Sequence, residues 1–212
     1  MPTLVAAFDW DGTLTARDCV VPFLTRVAGA GGLARRLLSQ PVDLAMGLAR
    51  RDRDHLKQLG VAAAFTDRRV VEIDEMGRRY ADQVWARWMR PDTLARLRWH
   101  QAMGHRVVLV SASLGPYLHP LGRHVGLDAV LCTELAVHRD RFTGELAGPN
   151  CRGVHKAERL RGWLAQQPGD HHLGWAYGDS SGDDALLATA QIGVKVGRAR
   201  LSAVPTVWEQ IP

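Results

Sequence analysis

The sequence predicts an α/β protein whose parallel sheet is interrupted by an inserted helical cap, and three features carry that prediction. Near the N-terminus, Val5, Ala6, Ala7 and Phe8 form an apolar run without polar alternation, as in a strand buried on both faces. Four more strand-like runs, residues 106–112 (RVVLVSA), 129–135 (AVLCTEL), 175–179 (WAYGD) and 192–196 (IGVKV), are separated by segments long enough for crossovers. Between the first run and the second, residues 16–91 carry helical periodicity. The expected division is an α/β core of residues 1–15 and 92–212 and a helical cap of residues 16–91.

Taken in order, the chain leaves Thr15 for a helical pattern in Val20, Phe23, Leu24 and Val27, then in Leu33, Leu37 and Leu38, then in Leu44 and Leu48, punctuated by Gly29, Gly31, Gly32 and Pro41. Val70, Ile73, Gly77, Tyr80, Ala81, Val84 and Trp88 make one long stripe that stops before Pro91. Trp85 and Trp88 continue that stripe and are expected in the core. Pro91 and Asp92 open a helix with Leu94 and Leu97 inward and Gly104 just past its end. Residues 135–146 alternate around Arg139 and Asp140 and fit a β-hairpin.

With 212 residues, a net charge of +5 and 46% hydrophobic residues, the composition is that of a soluble globular chain with room for a substantial core. No apolar run approaches the ~20 residues that span a bilayer, and no basic and apolar leader pattern opens the chain, so a cytoplasmic location without a membrane span is expected. Cys19, Cys132 and Cys151 are odd in number and lack a CxxC pair, which suggests neither a disulfide framework nor a zinc site. The basic stretches, Arg35 with Arg36 and Arg50, Arg51 and Arg53, are short and lack aromatic interleaving, so no nucleic-acid partner is expected. Oligomeric state leaves no mark in the sequence.

The polar chemistry begins where the first strand ends. Asp9 and Asp11 are two residues apart and project to one side of an extended chain, and Gly12 then permits a sharp turn. Two carboxylates at the end of a buried strand repel each other and lose solvation. A divalent cation resolves that conflict, and hard oxygen ligands of this kind suit Mg²⁺ shared with a substrate phosphate.

In open α/β sheets the site lies outside the carboxyl ends of the strands, so the polar groups at each strand end are the candidates. The second strand ends in Ser111, Ala112 and Ser113, small residues that let a hydroxyl and backbone N–H groups approach an anion. The fourth runs into Gly178-Asp179-Ser180-Ser181-Gly182-Asp183-Asp184, where Asp179 follows an apolar strand as Asp9 does. Asp183 suits a supporting or water-mediated metal role, and Asp184 a first-turn acid. The chain has only three lysines, Lys57, Lys156 and Lys195. Lys156 falls in the first turn of a helix with Ala157, Leu160 and Leu164 inward, where a cation opposes the helix dipole unless an anion lies nearby.

This order of motifs resembles the haloacid dehalogenase superfamily of aspartate-nucleophile phosphohydrolases, in its phosphoserine-phosphatase-like subfamily IB. FDWDGTLT matches the first motif, the SAS end of VVLVSAS the second, Lys156 the third and GDSSGDD the fourth, with support from TARDCVVPFL around Asp18 and TGELAGPNCRG before Lys156. The resemblance implies a Rossmannoid three-layer parallel sheet with an inserted helical cap domain, and a Mg²⁺-dependent hydrolase of phosphorylated small molecules. It implies Asp9 as nucleophile, forming a phosphoaspartate, and Asp11 as general acid and base. Metal would be held by Asp9, Asp11 through its backbone carbonyl, and Asp179, with Asp183 in support. Phosphate would be bound by Ser111, Lys156 and backbone amides near Gly12 and Ala112.

Substrate choice is expected from the cap and the loop before Lys156. Asp18, Ser113 and Arg152 are the specificity candidates, Asp18 at the place where the phosphoserine branch receives the substrate amine. Arg26, Arg50, Arg53, Arg68 and Arg152 are candidate anion contacts. Residues 65–69 carry no clear arginine-bearing motif for a substrate carboxylate. Small-metabolite phosphatase leads, with phosphoserine phosphatase proper and phosphotransfer on the same scaffold as alternatives, and a non-enzymatic anion-binding protein the least favoured because every expected catalytic position is filled.

Overall fold

A computed structural model describes residues 3–206. After β1 (Thr3–Phe8), the chain enters α1 (Val20–Ala28), α2 (Ala30–Leu38), α3 (Pro41–Arg50), α4 (Arg53–Phe65) and α5 (Val70–Arg87). It returns through α6 (Pro91–Ala102) to β2 (Arg106–Leu114), then α7 (Gly115–Val125) and β3 (Ala129–Thr133). The strands β4 (Leu135–His138) and β5 (Arg141–Leu146) precede α8 (Val154–Gln166), β6 (His171–Gly178), a 3₁₀ turn at Ser181–Asp183, α9 (Asp184–Leu187) and β7 (Ile192–Lys195).

The sheet order is β3-β2-β1-β6-β7, and every adjacent pair is parallel. The fold is thus the expected α/β architecture. The chain builds outward from β1 through β2 to β3 and then crosses to β6 and β7 on the other side. That reversal opens a crevice at the carboxyl ends of β1 and β6. Alternation along β1 decides the layers: Val5 and Ala7 enter one apolar cluster, Ala6 and Phe8 the other. The first cluster is closed by Leu160 of α8 and Leu186 of α9. The second takes Leu97 of α6 and Leu118 and Leu121 of α7, and continues without a break into Phe23, Val61, Phe65 and Tyr80 of the inserted helices.

The insert is therefore packed onto the core rather than tethered to it. Phe23 stacks on Tyr80 with centroids 5.1 Å apart and meets Tyr117 of α7 edge-on at 4.9 Å. Helix α5 comes so close to α7 that a Cβ on Gly77 would collide with the Pro116 carbonyl. The two connecting segments run side by side, with Ala16 N–H donating to the Trp88 carbonyl at 2.8 Å and Arg90 N–H to the Leu14 carbonyl at 2.9 Å. Trp85 and Trp88 lie at the rim of the apolar cluster rather than inside it. Trp85 packs on His124, and Trp88 lies under the Arg17 guanidinium.

Helix α4 has no stripe of its own in the sequence reading. Its start is set by Asp52, whose carboxylate accepts from the N–H groups of Asp54 and His55, and its second half is buried. The β4/β5 hairpin forms as expected and turns at Arg139, but it joins the inserted helices. Its backbone pairs with the segment before α5, through Phe142 N–H to the Arg68 carbonyl and Val70 N–H to the Asp140 carbonyl, both at 2.9 Å. Among the described residues, no helix is long and apolar enough to cross a membrane.

On the buried face of α6, His100 is fully buried, its ring nitrogens 2.9 Å from His105 Nδ1 and 2.9 Å from the Tyr177 hydroxyl. Burial, with His105 and Arg96 nearby, pushes its pKa down from 6.5 to about 3. The unfolded chain binds this proton more readily, so the contribution of neutral His100 to stability is complete above pH 6.5 and is lost as pH falls toward 3. Chemical denaturation of a His100→Gln variant is expected to show a shallower loss of stability across that window than the parent.

Candidate active site

Where β1 ends, Asp9 still continues the ladder, its N–H donating to the Tyr177 carbonyl at 2.9 Å, so its side chain is buried with the strand. One carboxylate oxygen accepts from the Lys156 ammonium, the other from the Thr13 hydroxyl at 3.4 Å. Lys156 rises from the first turn of α8 and also donates to Asp183. That helix start is tied to the 3₁₀ turn by Gly153 N–H donating to the Gly182 carbonyl at 2.8 Å. Burial opposes charge on Lys156, but Asp9 and Asp183 outweigh it and hold its pKa above the usual value. Burial likewise works against Asp183, and Lys156 with the Ser180 hydrogen bonds overcomes it, leaving that carboxyl below its usual range. Asp9 is pushed up to about 6 by burial, with Lys156 acting in the opposite sense.

Asp11 has different company. Its carboxylate accepts from Cys19 N–H at 2.8 Å and from the Ser113 hydroxyl, which in turn accepts from Tyr117 OH at 2.7 Å. Burial pushes the Asp11 carboxyl up to about 7, although the group opens onto the cavity on one side. Ser113 departs from the sequence expectation: it is fully buried and does not line the cavity, and its hydroxyl grips Asp11. The reason is that β2 runs on to Leu114 with an irregular register after Val110, which turns Ser113 inward while Ser111 and Ala112 stay at the cavity.

Gly12 adopts φ 78°, and a Cβ there would fall on the Asp179 carboxylate. The glycine is what lets the turn after Asp11 approach the end of β6. Asp9, Asp179 and Asp183 each offer a carboxylate oxygen, and these atoms all lie within 4.8 Å of one another. Burial and the charge of Asp183 raise the Asp179 carboxyl, with its own backbone N–H, Lys156 and Lys195 acting in the opposite sense. Three converging carboxylates are a donor set that fits a hard divalent cation such as Mg²⁺. The Asp11 carboxylate is outside this set, being engaged by Ser113 and Cys19. Both Asp183 oxygens are also engaged, one by Lys156 and the other by Ser180 N–H and Oγ at 2.9 and 2.8 Å.

These groups line a cavity of about 600 Å³ together with Gly12, Ser111 and Ala112. Its far wall comes from the insert, in Val20, Val21, Leu24 and Leu56. Asp18 and Arg152 both reach it, and of the other candidate arginines only Arg53 does. Asp18 accepts from Val21 N–H at 3.1 Å, so part of that carboxylate is committed to the start of α1. Arg26 instead bonds Gln83.

The sequence reading missed Lys57. From α4 its ammonium donates to the Ala112 carbonyl, to Asn150 Oδ1 at 2.7 Å and to Thr133 Oγ1 at 3.3 Å, while Asn150 donates to Asp54 at 2.6 Å. Burial pushes Lys57 down to about 8. The scarcity of lysine that singled out Lys156 applies equally to Lys57, and was the available signal.

A family model described as haloacid dehalogenase-like hydrolase matches residues 6–188. Protein CicA of Caulobacter vibrioides is 35% identical over 199 residues, covering 93% of this chain and 88% of that protein. Phosphoserine phosphatase SerB2 of Mycobacterium tuberculosis is 27% identical over 191 residues, which make 88% of this chain and 42% of that protein. Among solved structures, a phosphoserine phosphatase in its apo form superposes with a TM-score of 0.60 at 17% identity, over 92% of this chain and 85% of that one.

Gly12→Ala is expected to destabilise the protein by roughly 1–2 kcal/mol, the cost of a left-handed non-glycine residue, and to displace Asp179. Isothermal titration with Mg²⁺ should then show weakened binding relative to the parent.

Proposed function

The chain belongs to the haloacid dehalogenase-like hydrolase family, and on the contrast between the acids Asp9 and Asp11 we propose that it is a Mg²⁺-dependent phosphatase of small phosphorylated metabolites. That contrast is the observation on which the reading rests. Asp9 faces the Lys156 cation, whereas Asp11 is surrounded by hydroxyl and amide donors and holds a proton up to about pH 7. Two carboxyl groups in such different settings can take different roles.

In this reading Asp9 attacks phosphorus in line and becomes a phosphoaspartate, while Asp11 gives its proton to the departing alkoxide. Asp11, now ionised, takes a proton from the water that attacks the phosphoaspartate, which releases phosphate and restores both acids. Lys156, the Ser111 hydroxyl and the backbone amides near Gly12 and Ala112 neutralise the phosphoryl oxygens. Ser113 and Tyr117 hold Asp11 in place for both transfers. Mg²⁺, held by Asp9, Asp179 and the Asp11 backbone carbonyl with Asp183 in support, would add positive charge at those same oxygens.

The cavity lies within the roughly 300–1,000 Å³ typical of small-molecule sites, which supports a metabolite over a polymer. Its apolar wall and the side chains of Asp18, Arg53 and Arg152 are the groups placed to choose among phosphate esters. Three free, buried cysteines are consistent with a reducing compartment such as the cytoplasm.

Phosphate release from an aryl phosphate is expected to require Mg²⁺ and to fall to background in Asp9→Asn with the far-ultraviolet circular dichroism unchanged. Activity retained in that variant overturns the reading. Asp11→Asn keeps the nucleophile and loses the proton carrier, so its turnover number is expected to drop by about 10²–10⁴-fold. A screen of phosphorylated metabolites, with product analysis in the presence of acceptor alcohols, identifies the substrate and separates hydrolysis from transfer.

A further inference from the structure

A second cluster of metal-ligating side chains lies apart from the acidic site and is used by none of the chemistry above. His119 of α7, Cys132 near the end of β3 and Glu134 just beyond it converge at their tips. His119 Nε2 lies 2.8 Å from Glu134 Oε1, Cys132 Sγ lies 3.1 Å from the same oxygen, and Sγ and Nε2 are 3.9 Å apart. We propose that these three residues bind a Zn²⁺ ion, with the fourth position open to the adjoining cavity of about 370 Å³ that His119 and Glu134 line.

Zinc bond lengths of about 2.0–2.2 Å to nitrogen and oxygen and about 2.3 Å to sulfur give a tetrahedron ligand-to-ligand edges of roughly 3.3–3.6 Å, and the three observed separations fall on either side of that range. Shifts of a few tenths of an ångström bring all three donors to a common centre. A thiolate, an imidazole and a carboxylate form a mixed, partly soft set that selects zinc over magnesium. Cys132 and Glu134 are two residues apart, so an extended chain projects them to one side, and α7 supplies His119 from above. Gly115 leaves room for the carboxylate, because a Cβ at that residue would collide with it.

Burial and the neighbouring Glu134 carboxylate keep the Cys132 thiol protonated in the metal-free protein, with Arg159, which donates to the Cys132 carbonyl, acting in the opposite sense. Zinc replaces the thiol proton and the hydrogen bonds that now join the three side chains, so one proton leaves as the metal enters. His119 and Glu134 are each 43% exposed, which gives the ion a path from solvent. Bound there, zinc fastens α7 to the end of the edge strand β3. No CxxC spacing announces such a site, because its ligands come from a helix and a strand end and only the sheet brings them together.

The test is titration of the full-length, reduced protein with Co²⁺ in excess Mg²⁺, which fills the carboxylate site. One equivalent is expected to produce a near-ultraviolet thiolate-to-cobalt charge-transfer band that Zn²⁺ abolishes by displacement. Cys132→Ser should lose the band, and Cys151→Ser should keep it. His119→Ala changes a half-exposed residue, so the fold is not at stake, and should weaken Co²⁺ binding by at least the roughly tenfold lost when a metal ligand's own support is removed. Zn²⁺ should raise the Tm of the parent and not that of His119→Ala. Absence of the band in the parent, its loss in Cys151→Ser with retention in Cys132→Ser, or unchanged affinity in His119→Ala overturns the proposal.

Discussion

Everything at the cavity floor depends on the buried ion pair network in which Lys156 binds Asp9 and Asp183. The three residues come from the end of the first strand, the start of a helix and the turn after the sixth strand, so forming the network closes the sheet's crevice around one point. Removing one partner of a buried ion pair typically costs 3–5 kcal/mol, because the remaining charge is left without compensation. Here removing Lys156 would leave two carboxylates beside a third, Asp179. The same repulsion explains why the only lysine on this helix sits in a turn whose dipole disfavours it: its ammonium offsets the carboxylates.

A second set of contacts sets the shape of the cavity. Lys57 crosses from the inserted helices to the Ala112 carbonyl and to Asn150, joining both walls through hydrogen bonds rather than through apolar packing alone. Aromatic packing of Phe23, Tyr80 and Tyr117 does the same from behind. The inserted helices, bound this tightly, fix the shape of the cavity they line, and Tyr117 also carries the hydroxyl that ends the Ser113–Asp11 chain. The position of the inserted helices and that of Asp11 are thus mechanically joined through one residue.

Much of this could be read from the chain. Acids placed directly after apolar strands, as Asp9 and Asp179 are, face the crevice of any open parallel sheet, and a rare lysine at a helix start points to an anion. The strands were readable because a strand buried on both faces must be uniformly apolar. The errors have equally physical causes. Ser113 was grouped with Ser111 because the two are neighbours, yet a register irregularity in β2 turns Ser113 inward to Asp11. Helix α4 shows no stripe in the sequence because its buried half mixes Leu59, Val61 and Phe65 with Gly60, Ala63 and Ala64, which weakens the periodic signal.

Local sequence is enough to specify strands, helix starts and turn glycines, since backbone sterics, capping and burial act over a few residues. It therefore defines the α/β order and the identity of Asp9, Asp11, Asp179 and Lys156. Which distant groups meet is another matter: Lys57 with Ala112, Tyr117 with Ser113, and His119 with Cys132 and Glu134 are separated along the chain by intervals with no periodic relation. Their meeting depends on strand order, register and helix packing, which are properties of the assembled sheet. The opening stretch of the chain supplies the two acids, and the assembled sheet gives them different surroundings, an ammonium beside Asp9 and a hydroxyl chain beside Asp11.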